Sequence, residues 1–479
     1  MSPVLTLTVI LVYFSLVILV SWVAGRGSTS NDTFFRANRG SVWWAVAIGM
    51  VGSSMSGVSF VSVPGMVRGI DFTYLQFVLG FFFGYIIVAQ VLLPVFYRQN
   101  LTSIYTYLYD RFGSRAYKTG AWFFIIGKII TSAAKLYIVA LVLHNFVFIQ
   151  WGFAFPLTVA LTVLTVWLYT FRSGIKSIVW TDVLQTLIMI ITLIVIVFIV
   201  LKKINLNLSE IFNLILHSEQ TRIFVFDDWL SRQNFVKQFL SGIFIVVVMT
   251  GLDQDQMQKN LTCKNLHEAK KNMQCYGAAF VPVNLMFLVL GFLLLLYAEQ
   301  HGISLQNVIS DDILPLMVKN YLGTFAVAMF VTGIFASALN SADSALTALT
   351  TSFSIDILNI KNDKKAEKVR KAVHAGFAVV LVAVVMIFRA LNSNSVIDAL
   401  YTIVSYTYGP LLGMYAFGLF TKRRTSDKAI PLIAIAAPAV CIIINLLSTK
   451  MFDYTFGYEI LLLNAIITFT AMGVVEHRI

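Results

Sequence analysis

Apolar residues in this chain fall in long runs rather than in alternation with polar ones. Runs of about 20 residues have the length of a helix that crosses a bilayer, whereas membrane strands would be roughly ten residues long with alternating polarity. Backbone polar groups in lipid must be satisfied within the segment, so the runs read as helices. The pattern predicts about 13 spans, near 3–24, 41–67, 71–97, 119–147, 152–171, 177–201, 234–255, 275–298, 321–357, 373–389, 396–420, 429–447 and 456–474. The segment 321–357 is too long for one straight span, and its last turns are expected on the wet side. The first segment lacks a charged leader and a small-residue cleavage site, so it reads as a retained helix rather than a signal peptide. The expected fold class is therefore an all-α polytopic membrane protein, with 1–479 forming one transmembrane domain.

Composition removes the soluble alternative. The chain is 58% hydrophobic and 12% charged, with a mean hydropathy of +0.82. A soluble domain carries about 25% charged residues, so this surface must face lipid. The net charge of +12 matters through its distribution. With the amino terminus outside, 24 of the 35 basic residues fall on the cytoplasmic side. They are Arg26, Arg36, Arg39, Arg98, Arg111, Arg115, Lys118, Arg172 and Lys176, then Lys259, Lys264, Lys270 and Lys271. Lys361, Lys364, Lys365, Lys368, Arg370, Lys371, Lys422, Arg423, Arg424, Lys428 and Arg478 complete them. This asymmetry with an odd number of spans predicts an external amino terminus and a cytoplasmic carboxyl terminus in a multi-pass plasma-membrane protein. The basic surplus orients the chain; it does not point to nucleic acid. Cys263, Cys275 and Cys441 lack CxxC spacing and suggest neither a disulfide framework nor a metal site. No phosphate-binding glycine loop is present, which excludes an ATP-driven pump within this chain, and no nucleophile or metal constellation suggests an enzyme.

Five places depart from inert lipid-facing helix. Residues 45–65, AVAIGMVGSSMSGVSFVSVPG, crowd Gly52, Ser53, Ser54, Ser56, Gly57, Ser59, Ser62, Pro64 and Gly65 into one span, as close packing or a broken helix would require. In SALNSADSALTALTTS, Ser337, Asn340, Ser341, Ser344 and Thr347 recur at helical spacings of three and four, so their oxygens share a face. Hard cations such as sodium want several such oxygens. Asp182 lies roughly 9 Å into its span, where a carboxylate implies either cation handling or pairing with Lys128 or another donor. Lys128 and Lys135 sit seven apart on one helix face. Lys135, near mid-membrane, needs a carboxylate, a carbonyl or an anionic ligand, or it loses its proton. Gly251, Asp253, Gln254, Asp255 and Gln256 directly follow an apolar run, either at the cytoplasmic interface or as the inner half of a second broken helix with Asp253 and Gln254 facing a cavity. The soft spots fall in the second and seventh spans. Two five-span repeats of opposite orientation, about 41–201 and 234–420, would place each at the start of its repeat. Helices 3–24, 429–447 and 456–474 would then be peripheral.

These stretches together resemble the sodium:solute symporter family: DTFFRANRGSVWWAVAIGMVGSSMSGVSF, GIKSIVWTDVLQ at Asp182, DQDQMQKNL with EAKKNM, and ASALNSADSALTALTTSFSIDIL. The resemblance implies a LeuT-type inverted five-helix repeat core, sodium as coupling ion and alternating access. It places the main sodium at the backbone carbonyls of Gly52, Met55 and Ser337 with the side chains of Asn340 and Ser341. Asn340 departs from the family's usual serine. Asp182 and Ser344 match a second sodium site found in some members, with Ala345 where a further hydroxyl can stand. Substrate would meet Ser56 and Ser59, and a basic residue at the place of Lys135 meets a carboxylate in some members. Asp253 and Gln254 complete the candidate substrate-binding residues. The leading expectation is import of a small polar solute, whether organic anion, sugar or amino acid, coupled to sodium, with the lipid bilayer as surroundings and no obligatory protein partner. Proton coupling on the same fold is the nearest alternative, and an ion channel or membrane sensor is a more distant one.

Overall fold

The computed structural model describes residues 3–25, 37–170, 175–360, 364–391 and 395–475. Arg26, Arg36, Arg172, Lys361 and Arg478 of the cytoplasmic set lie outside the described residues, as do the side chains of Lys364 and Lys365. Among the described residues the only β contact is an isolated bridge between Ser41 and Cys263.

The first half of the chain runs α1 (Pro3–Gly25), α2 (Trp43–Ser54), α3 (Gly57–Ile70), α4 (Tyr74–Arg98), α5 (Thr106–Phe112), α6 (Ser114–Phe146), α7 (Phe155–Thr170), α8 (Ile175–Ile204) and α9 (Leu208–His217). The second runs α10 (Phe235–Gly251), α11 (Gln254–Asn260), α12 (Leu266–Gln300), α13 (Ile313–Met317), α14 (Thr324–Ile357), α15 (Lys364–Leu391), α16 (Val396–Thr407), α17 (Gly409–Phe420), α18 (Ile430–Phe452) and α19 (Ile460–Val474). Among the described residues, eight helices are long and apolar enough to cross a membrane singly, and two bent pairs pass together. Shorter apolar helices, α7, α16 with α17, and α19, take the remaining predicted segments. The 34 residues of α14 extend about 51 Å, well beyond a hydrocarbon core of about 30 Å.

Both bends sit where the sequence is soft. Between α2 and α3 the axis turns by 58°. Met55 leaves helical geometry (φ −83°, ψ 82°) and Ser56 is extended (φ −79°, ψ 174°). The Ser56 N–H donates to the Ser54 carbonyl instead of continuing the helical ladder. Between α10 and α11 the turn is 70°. A π turn over Val247–Gly251 loosens the end of α10, and the Asp253 carboxylate restarts the helix by accepting the N–H groups of Asp255 and Gln256.

Packing repeats itself between the halves. α10 packs along α4, and α3 packs along α12 in the same relation. α8 lies against α14, and α16 lies against α6. The α4–α10 contact is close because small residues face each other. A Cβ on Gly80 would lie 2.2 Å from the Phe239 carbonyl, and one on Gly242 would lie 2.1 Å from that of Phe77. Membrane helices gain their association energy from such close approach. The peripheral α18 leaves Leu432, Ile435, Ile443 and Leu446 exposed, as a lipid-facing helix does.

Candidate ion and solute site

The α2–α3 break lies against α14 and α8. Ser337 donates its hydroxyl to the Met55 carbonyl at 3.0 Å, and Ser341 donates to the Ser53 carbonyl at 3.2 Å. The Asn340 amide nitrogen donates to the Asp182 carbonyl at 3.3 Å and to the Thr186 hydroxyl at 3.4 Å. Its amide oxygen, fully buried, has no hydrogen-bond partner. Gly52 makes this approach feasible, since a Cβ there would stand 1.9 Å from Thr186 Oγ1. Gly52, Met55, Ser337, Asn340 and Ser341 are thus gathered in one place. Backbone carbonyls released by a helix break, two hydroxyls and an idle amide oxygen form a neutral donor set suited to a hard monovalent cation.

The buried charges pair differently from the sequence expectation. Lys128 does not reach Asp182. Its ammonium bridges Asp253 at 3.1 Å and Asp255 at 2.7 Å, because the α10–α11 bend aims both carboxylates at α6. Tyr408 adds its hydroxyl to Asp253 at 3.0 Å. Asp182 is held instead by Lys259 of α11 at 2.6 Å, with both side chains buried. Lys259 therefore belongs to the interior rather than to a cytoplasmic basic loop. Ser344 donates its hydroxyl to its neighbour Asp343 at 3.2 Å.

Beside the cation donor set is a cavity of about 60 Å³, lined by Ser53, Ser54, Lys128, Lys135, Asp253 and Ser341 with an aromatic wall of Tyr85, Tyr276, Tyr401 and Tyr408. Tyr85 donates to Tyr276 at 2.8 Å, and Tyr276 also hydrogen-bonds Ser54. Lys135 is half-buried, and among the described residues no carboxylate pairs with it. Its ammonium faces a chamber whose one lining carboxylate, Asp253, is already engaged by Lys128 and Tyr408. Ser56 at the break and Ser59 on α3 are buried and do not line this cavity. Neither does Gln254, whose amide accepts the Ile104 N–H at 3.0 Å and donates to the Thr102 carbonyl at 2.9 Å. It therefore braces the 102–104 segment. A larger groove of about 760 Å³ between α1 and α7 has no charged side chain in its lining. The tyrosines were not anticipated from sequence, although Tyr401 and Tyr408 are seven apart and so share a face.

The sequence profile that describes the sodium:solute symporter family matches residues 34–433. The chain is 24% identical over 433 residues to the sodium/sialic acid symporter of Aliivibrio fischeri, covering 87% of this chain and 83% of that one. It is 28% identical over 420 residues to sodium-coupled monocarboxylate transporter 1 of Mus musculus, covering 85% and 67%. It is 24% identical over 425 residues to the human sodium/iodide cotransporter, covering 85% and 65%. A solved Na⁺-coupled sialic acid symporter, substrate-bound and outward-open, superposes with a TM-score of 0.84 at 20% identity, covering 99% of both chains.

Proposed function

This chain belongs to the sodium:solute symporter family, and we propose that its solute is a small organic anion held at Lys135. As a sodium-coupled symporter it works by alternating access, and the family's members are transporters rather than enzymes. The observation that carries the substrate reading is the Lys135 ammonium, which lines a buried cavity and, among the described residues, forms no ion pair with a carboxylate. A charge in such surroundings seeks a counter-ion, and an arriving carboxylate supplies one. The relatives are in accord, since sialic acid, monocarboxylates and iodide are all anions. Asp253 acts here through Lys128, fixing that lysine so that Lys135 alone remains open to solute.

Sodium is proposed at Gly52, Met55, Ser337, Asn340 and Ser341. It would draw the α2–α3 break onto α14 and so shape the adjoining cavity, which Ser53, Ser54 and Ser341 join to the ion site. The cavity has space for only a few waters, so solute entry requires the helices around Tyr85, Tyr276 and Tyr401 to part. Ser56 and Ser59 would meet solute only if that opening runs along α3. The paired contacts between halves support repeats of about 41–201 and 234–420, and the charge asymmetry supports a plasma-membrane location with the amino terminus outside.

A thermal-shift screen of purified protein tests the substrate class. In sodium, small carboxylates should raise the unfolding temperature and neutral sugars should not. Stabilisation by neutral sugars alone would overturn the anion reading.

A further inference from the structure

Building on the symport reading above, we infer that Lys259 serves as a tethered cation at Asp182, in the place of a second sodium, so that one sodium accompanies each solute. Three observations carry this. The Lys259 ammonium stands 2.6 Å from Asp182 Oδ2, and both side chains are buried. The hydroxyl of Ser344, which would complete a second site, is donated to Asp343 Oδ1. Ala345 adds no oxygen at the next position.

Sodium and an ammonium ion ask for the same thing from a carboxylate, namely lone pairs and negative charge. An ammonium already in contact supplies the neutralisation that would otherwise attract the metal ion. It also repels a second cation across a short distance, in surroundings where water cannot screen the two. Lysine suits the task because its ammonium is a compact point charge on a long stem. Here the stem starts on α11, the inner half of the second broken helix, and reaches across to α8. Asp255, four residues before Lys259 on α11, lies on the same helix face. Asp255 has Lys128 as its own contact at 2.7 Å.

The main sodium site is untouched by this pair. Its donors are neutral, and the two are joined through the Asp182 backbone carbonyl, which accepts from the Asn340 amide and from the Thr186 hydroxyl. A single sodium travelling with a monovalent anion moves no net charge, so such uptake draws on the sodium gradient and not on the membrane potential.

Counting bound sodium tests the inference without a known substrate. Radiolabelled sodium is titrated onto the full chain in lipid nanodiscs, with choline chloride as the balancing salt. The wild type should saturate at about one ion per chain, and Lys259→Met, which uncovers Asp182, at about two. The double variant Asp182→Asn/Lys259→Met removes the pair as a neutral unit. It should again bind one ion, with affinity within about twofold of wild type. Two ions in the wild type, or loss of the ion in the folded double variant, would overturn the inference even if Lys259→Met does not fold. No saturable sodium binding in the wild type would instead contradict the symport reading beneath it.

Discussion

Different jobs are proposed for Lys135, Ser341 and Asp182, and single substitutions should separate them. Lys135→Met keeps the length of the side chain and removes the charge. A hydrogen bond to a charged group contributes about 1.5–3 kcal/mol, so anion binding should weaken by roughly 10- to 150-fold while stabilisation by sodium persists. Undiminished anion binding in that variant would remove Lys135 from the site. Ser341→Ala deletes one oxygen beside the α2–α3 break and adds no bulk. The sodium concentration for half-maximal stabilisation should rise several-fold, by about 1 kcal/mol, with membrane insertion intact. Asp182→Asn leaves the Lys259 ammonium buried without its counter-charge, a loss of about 3–5 kcal/mol. Adding Lys259→Met should recover most of it, and adding Lys128→Met should not, as thermal unfolding would report. The identity of that partner was hidden in the sequence. Lys259 follows a polar stretch and reads as a loop residue until the 70° bend turns α11 back into the interior. Asp182, by contrast, announced itself by its depth in an apolar run.

The helices themselves were legible because each long apolar run has one cheap solution in lipid. Both bends were also written in residue type, though not in detail. The Gly- and Ser-rich stretch 45–65 contains Pro64, yet the chain breaks at Met55–Ser56 and Pro64 lies inside α3. Proline forfeits one ladder bond, whereas the break forms where the α14 hydroxyls of Ser337 and Ser341 bond the carbonyls of Met55 and Ser53. Contacts between helices were not legible, since a glycine in an apolar run does not name the backbone it admits. At the α4–α10 crossing, Gly242→Val would drive its side chain into the Phe77 carbonyl. Overpacking of this kind costs about 1–3 kcal/mol or more, and the unfolding temperature and monodisperse yield should fall. Gly376→Ala on α15 meets nothing within 4 Å and gains helix propensity, so it should be neutral or slightly stabilising. Equal damage from both would mean that the close crossing is not what holds these helices.

At the scale of the whole molecule, the orientation proposed rests on the basic residues that remain outside the core. Moving Lys259 inward leaves the asymmetry intact, because the clusters at 98–118, 264–271, 361–371 and 422–428 carry most of it. A tag after Ile479 should be accessible only from the cytoplasmic side, and its labelling from outside would reverse the assignment. The paired packing of α10 on α4 and α3 on α12 is what the proposed pair of repeats about one cavity would require. Lys135, proposed to meet solute, and Ser341, proposed to hold sodium, line the same cavity, and on this proposal occupancy of one site favours the other. Coupling between them is the central claim, and accumulation in proteoliposomes tests it most directly. Under an inward sodium gradient at fixed pH, the carboxylate found to stabilise the protein should rise above its external concentration. It should fall back when the gradient is dissipated with a sodium ionophore. Accumulation that persists with potassium in place of sodium, or that follows a pH gradient alone, would contradict sodium-coupled symport.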